Sequence, residues 1–178
     1  DEDKKLEKDV RDKSEDNKRR LEEIKKKVED ASRENERKIE EIKRRVEEKA
    51  EEVDRARKRP GGEKRLKDLI DDLRKTLKEI EEEIEKLKRD NEERLKDIRR
   101  EIEEINKKLE DDLERIRRAK KGSEELLKTA TELVTRNRTE NERVLREAER
   151  VVKENLRRMD ELLKDIRRVI EELERRIK

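Results

Sequence analysis

The sequence contains no Cys, His, Phe, Trp or Tyr, and it has only three Gly, one Pro and one Met in 178 residues. The absence of Cys excludes disulfide frameworks, thiolate nucleophiles and zinc fingers. The absence of His removes the commonest general base and the commonest metal ligand. The absence of aromatic side chains removes the stacking platform that single-stranded nucleic acids use. Several classes of enzyme, metal site and nucleic-acid-binding site are therefore excluded.

Long apolar runs are also missing. No run approaches the roughly 18 residues that a membrane-spanning helix needs. The first ten residues, DEDKKLEKDV, are polar and acidic, unlike a signal peptide. We therefore expect a soluble chain with no membrane partner.

Charged residues dominate the sequence. They make up 63% of it, and 57 Lys or Arg nearly balance 55 Asp or Glu, which leaves a net charge of +2. High charge with low hydrophobicity is common in disordered chains, but such chains are also rich in Pro, Gly and Ser. Here those residues are rare and the aliphatic residues are regularly spaced, which is typical of long helices or coiled coils.

Helix-breaking residues occur in only two places, at Pro60-Gly61-Gly62 and at Gly122-Ser123. Pro interrupts a helix and Gly favours its C-terminal cap, while Ser123 is a good N-cap. The sequence predicts helices over about 2–59, 63–121 and 124–177, joined by short turns. Short turns make consecutive helices antiparallel neighbours. We predict an all-α, up-down-up three-helix bundle that forms a single domain over residues 1–178.

Aliphatic residues recur at a shift of 18 positions, as in Leu6, Ile24 and Ile42. Such a repeat over five turns has the pitch of a straight α-helix, about 3.6 residues per turn, whereas a heptad repeat would give a left-handed supercoil. The sequence therefore predicts a straight, untwisted bundle. The number of aliphatic residues suits one shared core. Adjacent apolar pairs make the third helix's stripe wider than that of the first: Leu126-Leu127, Leu133-Val134, Val144-Leu145, Val151-Val152, Leu162-Leu163 and Val169-Ile170.

Asparagines fall in the phase of the core. Asn17 and Asn35 of the first helix are separated by the same shift as the aliphatic repeat, and so are Asn137 and Asn155 of the third. The antiparallel second helix brings two further Asn to similar heights. The predicted levels are Asn17, Asn106 and Asn137 in one, and Asn35, Asn91 and Asn155 in the other. Since Asn both donates and accepts, three around an axis can bond one another.

Several polar residues lie near the first level. Asn141 is about one turn away, and Ser14, Thr131 and Thr135 are close enough in height to join it. Asn106 fits least well because it lies beside the apolar stripe rather than within it. Buried amides would penalise wrong registers and wrong partners. The alternative is that these Asn are surface residues placed by chance.

No pattern in the sequence indicates catalysis, a cofactor or a metal. Carboxylate clusters such as Glu81-Glu82-Glu83 are interleaved with Lys and Arg, as on solvated helix faces. Acid–base catalysis needs a carboxylate whose pKa is shifted in a cleft. Basic runs interleaved with acids are unlike a nucleic-acid-binding face. We expect no enzymatic activity, no cofactor, no metal site and no nucleic-acid partner.

The sequence resembles computationally designed helical bundles with buried hydrogen-bond networks. The shared features are helices of equal length, minimal turns (RPGG and KGS), the aliphatic repeat, Asn at matched heights, and a surface of Glu, Lys, Arg and Asp. The resemblance covers the whole chain. It implies a thermostable scaffold or test of design rules with no natural activity or natural location, produced in the cytoplasm of a recombinant host. We expect a monomer. The alternatives are an interaction module that self-associates or accepts a partner helix through the wide face of the third helix, and a natural lipid-binding helical protein.

Overall fold

Three long helices make up the chain in the computed structural model, which describes residues 2–59, 61, 63–118 and 124–177. They are α1 (Glu2–Lys58), α2 (Glu63–Arg118) and α3 (Glu124–Ile177), and no strand occurs in the described ranges. The prediction of an all-α three-helix bundle is confirmed. The predicted residues 119–121 of the second helix and the turn at Gly122-Ser123 lie outside the described residues, as do Pro60 and Gly62.

The first turn follows the end of α1. The backbone N–H of Arg59 donates to the carbonyl of Ala56 at 3.3 Å, and Gly61 has a φ of +84°. This left-handed conformation favours Gly because a Cβ would be strained there. Basic residues in the last turn of α1 and Glu63 in the first turn of α2 suit the two helix dipoles.

Contacts between helices fix their directions. Within residues 31–92 and 153–178, the α2 partners fall as residue numbers rise along α1: Asn35 pairs with Asn91, and Lys49 pairs with Asp72. The α3 partners rise instead: Glu36 pairs with Arg158, and Asp54 pairs with Arg176. The helices there run up-down-up, as predicted. The straight, untwisted path stays a prediction.

Contacts divide the chain into two compact units, which we call unit 1 (residues 1–30 and 93–152) and unit 2 (residues 31–92 and 153–178). Each unit takes one segment from each of the three helices. The expectation of a single domain over the whole chain stays a prediction.

Unit 2 has one continuous aliphatic cluster. Ile42, Leu73, Ile80, Ile84 and Met159 are its fully buried centre. The cluster continues along α3 to Leu173. Because burial of each such side chain contributes about 1.5–3 kcal/mol, this cluster is the main stabilising feature of unit 2.

Unit 1 has two smaller aliphatic clusters. The first contains Leu21, Ile24 and Ile102, and the second contains Val10, Ile116 and Ala130 with partly buried residues packed against it. Ser14 and Asn17 of α1 lie between these clusters in sequence, whereas Asn137 and Asn141 of α3 lie between two members of the first cluster, Val134 and Val144. The aliphatic interior of unit 1 is therefore less continuous than that of unit 2.

The wide stripe of α3 is largely covered. Both residues of Leu162-Leu163 are buried, and in the other pairs from Leu133-Val134 to Val169-Ile170 one member is buried and the other half-buried. Leu145 and Val169 pack against the aliphatic clusters of their own units. Leu127, with 38% of its surface exposed, is the one large hydrophobic residue that is exposed in the described ranges.

Candidate functional site

Two asparagines of unit 2 form a reciprocal pair between α1 and α2. The Nδ2 of Asn35 donates to the Oδ1 of Asn91 at 2.8 Å, and the Nδ2 of Asn91 donates back at 3.2 Å. Asn91 also donates to the backbone carbonyl of Leu87, one turn earlier, at 2.8 Å. Both side chains are 3% exposed, so this pair is a fully buried polar contact next to the aliphatic cluster.

Asn155 of α3 is buried but takes no part in that pair. It is 6% exposed, and its Nδ2 has no hydrogen-bond partner among the described residues. The predicted three-way bonding of Asn35, Asn91 and Asn155 is thus a two-way pair and a separate amide. A buried donor without a partner costs about 1–3 kcal/mol.

The register of α3 explains this difference. Glu36 pairs with Arg158 and Lys88 pairs with Asp160, so position 157 lies level with Asn35 and Asn91. Asn155 is displaced from that height by about 3 Å along the helix axis. Asn155 and Met159 are the buried positions on either side of it.

Asn141 is the centre of the polar network in unit 1. Its Nδ2 donates to the Oδ1 of Asn106 at 3.0 Å and to the Oδ1 of Asn17 at 3.4 Å. Its Oδ1 accepts from the Nδ2 of Asn17 at 3.5 Å. Asn141 has no exposed surface, Asn17 is buried and Asn106 is half-buried. One residue from each helix therefore meets at this point.

Asn137, which the sequence places level with Asn17, bonds elsewhere. Its Nδ2 donates to the hydroxyl of Ser14 at 2.9 Å, and both residues are buried. The contacting residues of α1 and α3 are 123 or 124 positions apart, not the 120 that the Asn spacing suggests. The difference is about one helical turn, so it leaves the same faces in contact.

The threonines near this network bond within their own helix. The Thr131 hydroxyl donates to the carbonyl of Leu127 at 2.7 Å, and the Thr135 hydroxyl donates to the carbonyl of Thr131 at 2.8 Å. Such bonds to the preceding turn satisfy a hydroxyl locally. No described hydrogen bond joins either side chain to the network. Ser14 is the hydroxyl residue that the structure brings into it.

Thr76 is a buried polar residue that the sequence analysis missed. It is 6% exposed and lies in unit 2. Thr76 lies three positions after Leu73 and four before Ile80, which places it on the apolar face of α2. This spacing was the sequence signal that could have predicted its burial. The Nε of Arg138 was also missed: it is buried and has no hydrogen-bond partner among the described residues, although the guanidinium of Arg138 pairs with Glu110 at 2.8 Å.

A groove of about 740 Å³ runs between α1 and α2 within unit 1. Ile105, Leu109 and Asn17 are its buried lining, and charged residues of both signs surround them. One ion pair at its edge, from Lys13 to Asp112, is only 2.6 Å long. The charges at the edge are therefore partly neutralised by one another.

Ion pairs between helices raise the pKa of lysines in the described ranges. The ammonium of Lys49 donates to Asp72 at 2.5 Å, which raises the pKa of this lysine above its ordinary value. A hydrogen bond to Asp160 likewise raises the pKa of Lys88. No described group of three or more acidic side chains is placed to hold a metal ion, and no described helix has an apolar stretch long enough to cross a bilayer.

Neither a protein-family model nor a curated protein matches the chain. The chain is similar to a solved structure described as a computationally designed three helix bundle, with 23% sequence identity and a TM-score of 0.45. The match covers 99% of this chain and 87% of that chain. The assignment of the fold rests on the helices and contacts described above.

Proposed function

We propose that the chain is a de novo designed scaffold without a natural biochemical activity, in which buried amides select the helix register and limit association. The observation that carries the proposal is the Asn141 network, where amides from all three helices meet, with Asn141 and Asn17 buried and Asn106 half-buried. A wrong register would leave buried amide donors without hydrogen-bond partners, which costs about 1–3 kcal/mol of folding free energy for each donor. Buried Asn is used in this way in coiled coils.

The surface supports the same proposal. Ion pairs connect neighbouring helices on exposed faces, for example Arg74 with Glu174 and Arg99 with Glu149. Each such pair contributes little, about 0–1 kcal/mol. A chain that is 63% charged is well suited to staying soluble, and it presents no field of one sign to a nucleic acid. We propose that it needs no partner, cofactor or metal and that it stays in the cytoplasm of a producing host.

Solution mass tests the association part of this proposal. Light scattering across a wide concentration range should give a mass near 21.8 kDa throughout. The rival proposal is a module that self-associates or accepts a helix through the wide face of α3. A mass that rises with concentration, and falls back when Leu127 is replaced by Glu, would favour that rival. A failure to bind liposomes in flotation would exclude the lipid-binding alternative.

A variant series tests the role of the amides. Replacing Asn17, Asn106 and Asn141 together by Leu should retain or raise the free energy of unfolding. Light scattering of this variant should detect oligomers in addition to the monomer. The same triple substitution at exposed positions of the three helices, such as Lys18, Lys107 and Arg143, is the control for added hydrophobicity. A triple amide variant that remains strictly monomeric while its control also remains monomeric would contradict the proposed role.

A further inference from the structure

The aliphatic clusters are distributed by unit. Every residue of the large cluster around Ile84 belongs to unit 2, and every residue of the two clusters around Ile102 and Ile116 belongs to unit 1. The reciprocal Asn35–Asn91 pair also lies in unit 2. Each unit therefore has its own stabilising interior, although the helices are continuous through both.

Chain connectivity does not decide which unit is less stable. If unit 1 unfolds alone, the segment 93–152 becomes a loop closed by a folded unit 2. If unit 2 unfolds alone, the segment 31–92 becomes a loop closed by a folded unit 1. The two segments are almost equal in length, and loop-closure entropy depends only on the logarithm of length, so the two costs are nearly the same.

Burial favours unit 2. Among the described residues, unit 2 buries fifteen hydrophobic residues, one of them Ala, and all but that Ala form one continuous cluster, whereas unit 1 buries thirteen, two of them Ala, in less continuous clusters. Each unit also has one buried donor without a described partner, the Nδ2 of Asn155 in unit 2 and the Nε of Arg138 in unit 1, so these costs do not separate the units. Unit 1 also buries the larger polar network, and its contacts between Asn17 and Asn141 are long, at 3.4 and 3.5 Å. Apolar burial stabilises in proportion to area, while a net hydrogen bond contributes less. Unit 1 is therefore the less stable of the two.

From these observations we infer that the chain unfolds in two steps. Unit 1 opens first while unit 2 remains folded, and unit 2 opens only when the whole chain unfolds. The chain thus contains a part, residues 1–30 and 93–152, that can unfold and refold while unit 2 stays folded. This behaviour goes beyond the proposed scaffold role, which requires only one folded state.

A matched pair of variants tests the order of opening. Ile84 of unit 2 and Ile102 of unit 1 lie in the same helix at equivalent positions of the aliphatic repeat, and they are 0% and 1% exposed. Amide hydrogen exchange of the full chain, followed by mass spectrometry of peptides from each unit, reports the opening of both units at once. Ile84→Ala and Ile102→Ala are compared with the parent chain.

The two variants should behave differently. Ile84→Ala should speed exchange in unit 2 peptides by about 30-fold or more and leave unit 1 peptides unchanged, because unit 1 opens without disturbing Ile84. Ile102→Ala should speed exchange in both units, because opening of unit 2 also requires unit 1 to unfold. Ile84→Val and Ile102→Val give the same pattern at about 2-fold to 10-fold if the Ala variants lose their native state.

Other patterns would overturn the inference. Equal acceleration of both units by both variants would show one cooperative transition. Acceleration of unit 1 alone by Ile102→Ala would show that unit 2 opens independently or before unit 1. A parent chain whose unit 1 and unit 2 peptides have equal protection would also contradict a lower stability of unit 1.

Discussion

Asn155 and Asn91 should respond in opposite directions to the same substitution. Both are buried in unit 2, but Asn91 makes three hydrogen bonds with Asn35 and Leu87, whereas the Nδ2 of Asn155 has no described partner. Replacement by Leu keeps the branched shape of the side chain and removes its polar atoms. The sign of the stability change therefore depends on whether those atoms were bonded.

The magnitude follows from the contacts. Asn91→Leu leaves the amide of Asn35 buried and without its partner, which should lower the free energy of unfolding by about 1–3 kcal/mol. Asn155→Leu removes an unbonded donor and adds apolar burial, which should raise the free energy of unfolding by about 1–3 kcal/mol. The two variants should therefore differ by about 2–6 kcal/mol although their composition is identical.

Urea unfolding followed by circular dichroism measures this difference, since the chain has no aromatic residue to report by fluorescence. Exchange of unit 2 peptides provides a second measurement that is local to both residues. Linear extrapolation is applied to the second urea transition, in which unit 2 unfolds, and it is valid where the slope of that transition stays equal to that of the parent chain. A loss of stability on Asn155→Leu, or no loss on Asn91→Leu, would refute the assignment of bonded and unbonded amides.

Three further outcomes are expected. Replacing all three Asn of unit 2 by Leu should retain or raise the free energy of unfolding, but light scattering should then detect more than one association state. A large loss of stability would contradict the view that these amides act on specificity. Ser14→Ala removes the hydroxyl that accepts from Asn137 and should lower the free energy of unfolding by about 1–3 kcal/mol. The control Ser32→Ala, at a half-buried position of the same helix, should have little effect. Equal effects of the two variants would contradict the Asn137–Ser14 hydrogen bond. The raised pKa of Lys49 means that its ion pair with Asp72 stabilises the fold below the unfolded pKa of 10.5 and is lost as pH rises through the higher folded value. Stability should therefore fall above pH 10.5, and Lys49→Met should reduce that fall; an unchanged pH profile would show that this pair contributes nothing.

The helices and their faces could be predicted from the sequence because they depend on local signals. Breakers occur only near Gly61 and Gly122, and aliphatic spacing identifies the buried face of each helix. The bounds of α1 and α3 agree closely with the structure. The division into two units could not be predicted, because an aliphatic repeat has the same form in every part of the chain.

The hydrogen-bond partners were harder to predict than the buried positions. Placing Asn17 level with Asn137 assumes that contacting residues of α1 and α3 are 120 positions apart in the sequence. In the structure, Asn17 pairs with Asn141 and Asn137 pairs with Ser14. Thr76 was missed because hydroxyl residues were considered only near the level of Asn17, although Thr76 lies on the apolar face of α2. Each of these errors concerns height along the helix or residue type, not the choice of face.

This ambiguity of height has a physical origin that bears on the proposed role of the amides. Aliphatic side chains recur on the same face at every turn, so sliding α3 by one turn would return similar Leu, Ile and Val side chains to the core. The hydrophobic effect is non-directional, and it distinguishes such registers only weakly. A slide of one turn in one direction would place Asn137 opposite Asn17, but it would separate Asn141 from Asn17 and Ser14 from Asn137. A slide in the other direction would move Asn141 about 5.4 Å away from Asn17 and Asn106 and leave their amides unbonded. The polar contacts therefore supply the discrimination between registers that the aliphatic repeat lacks.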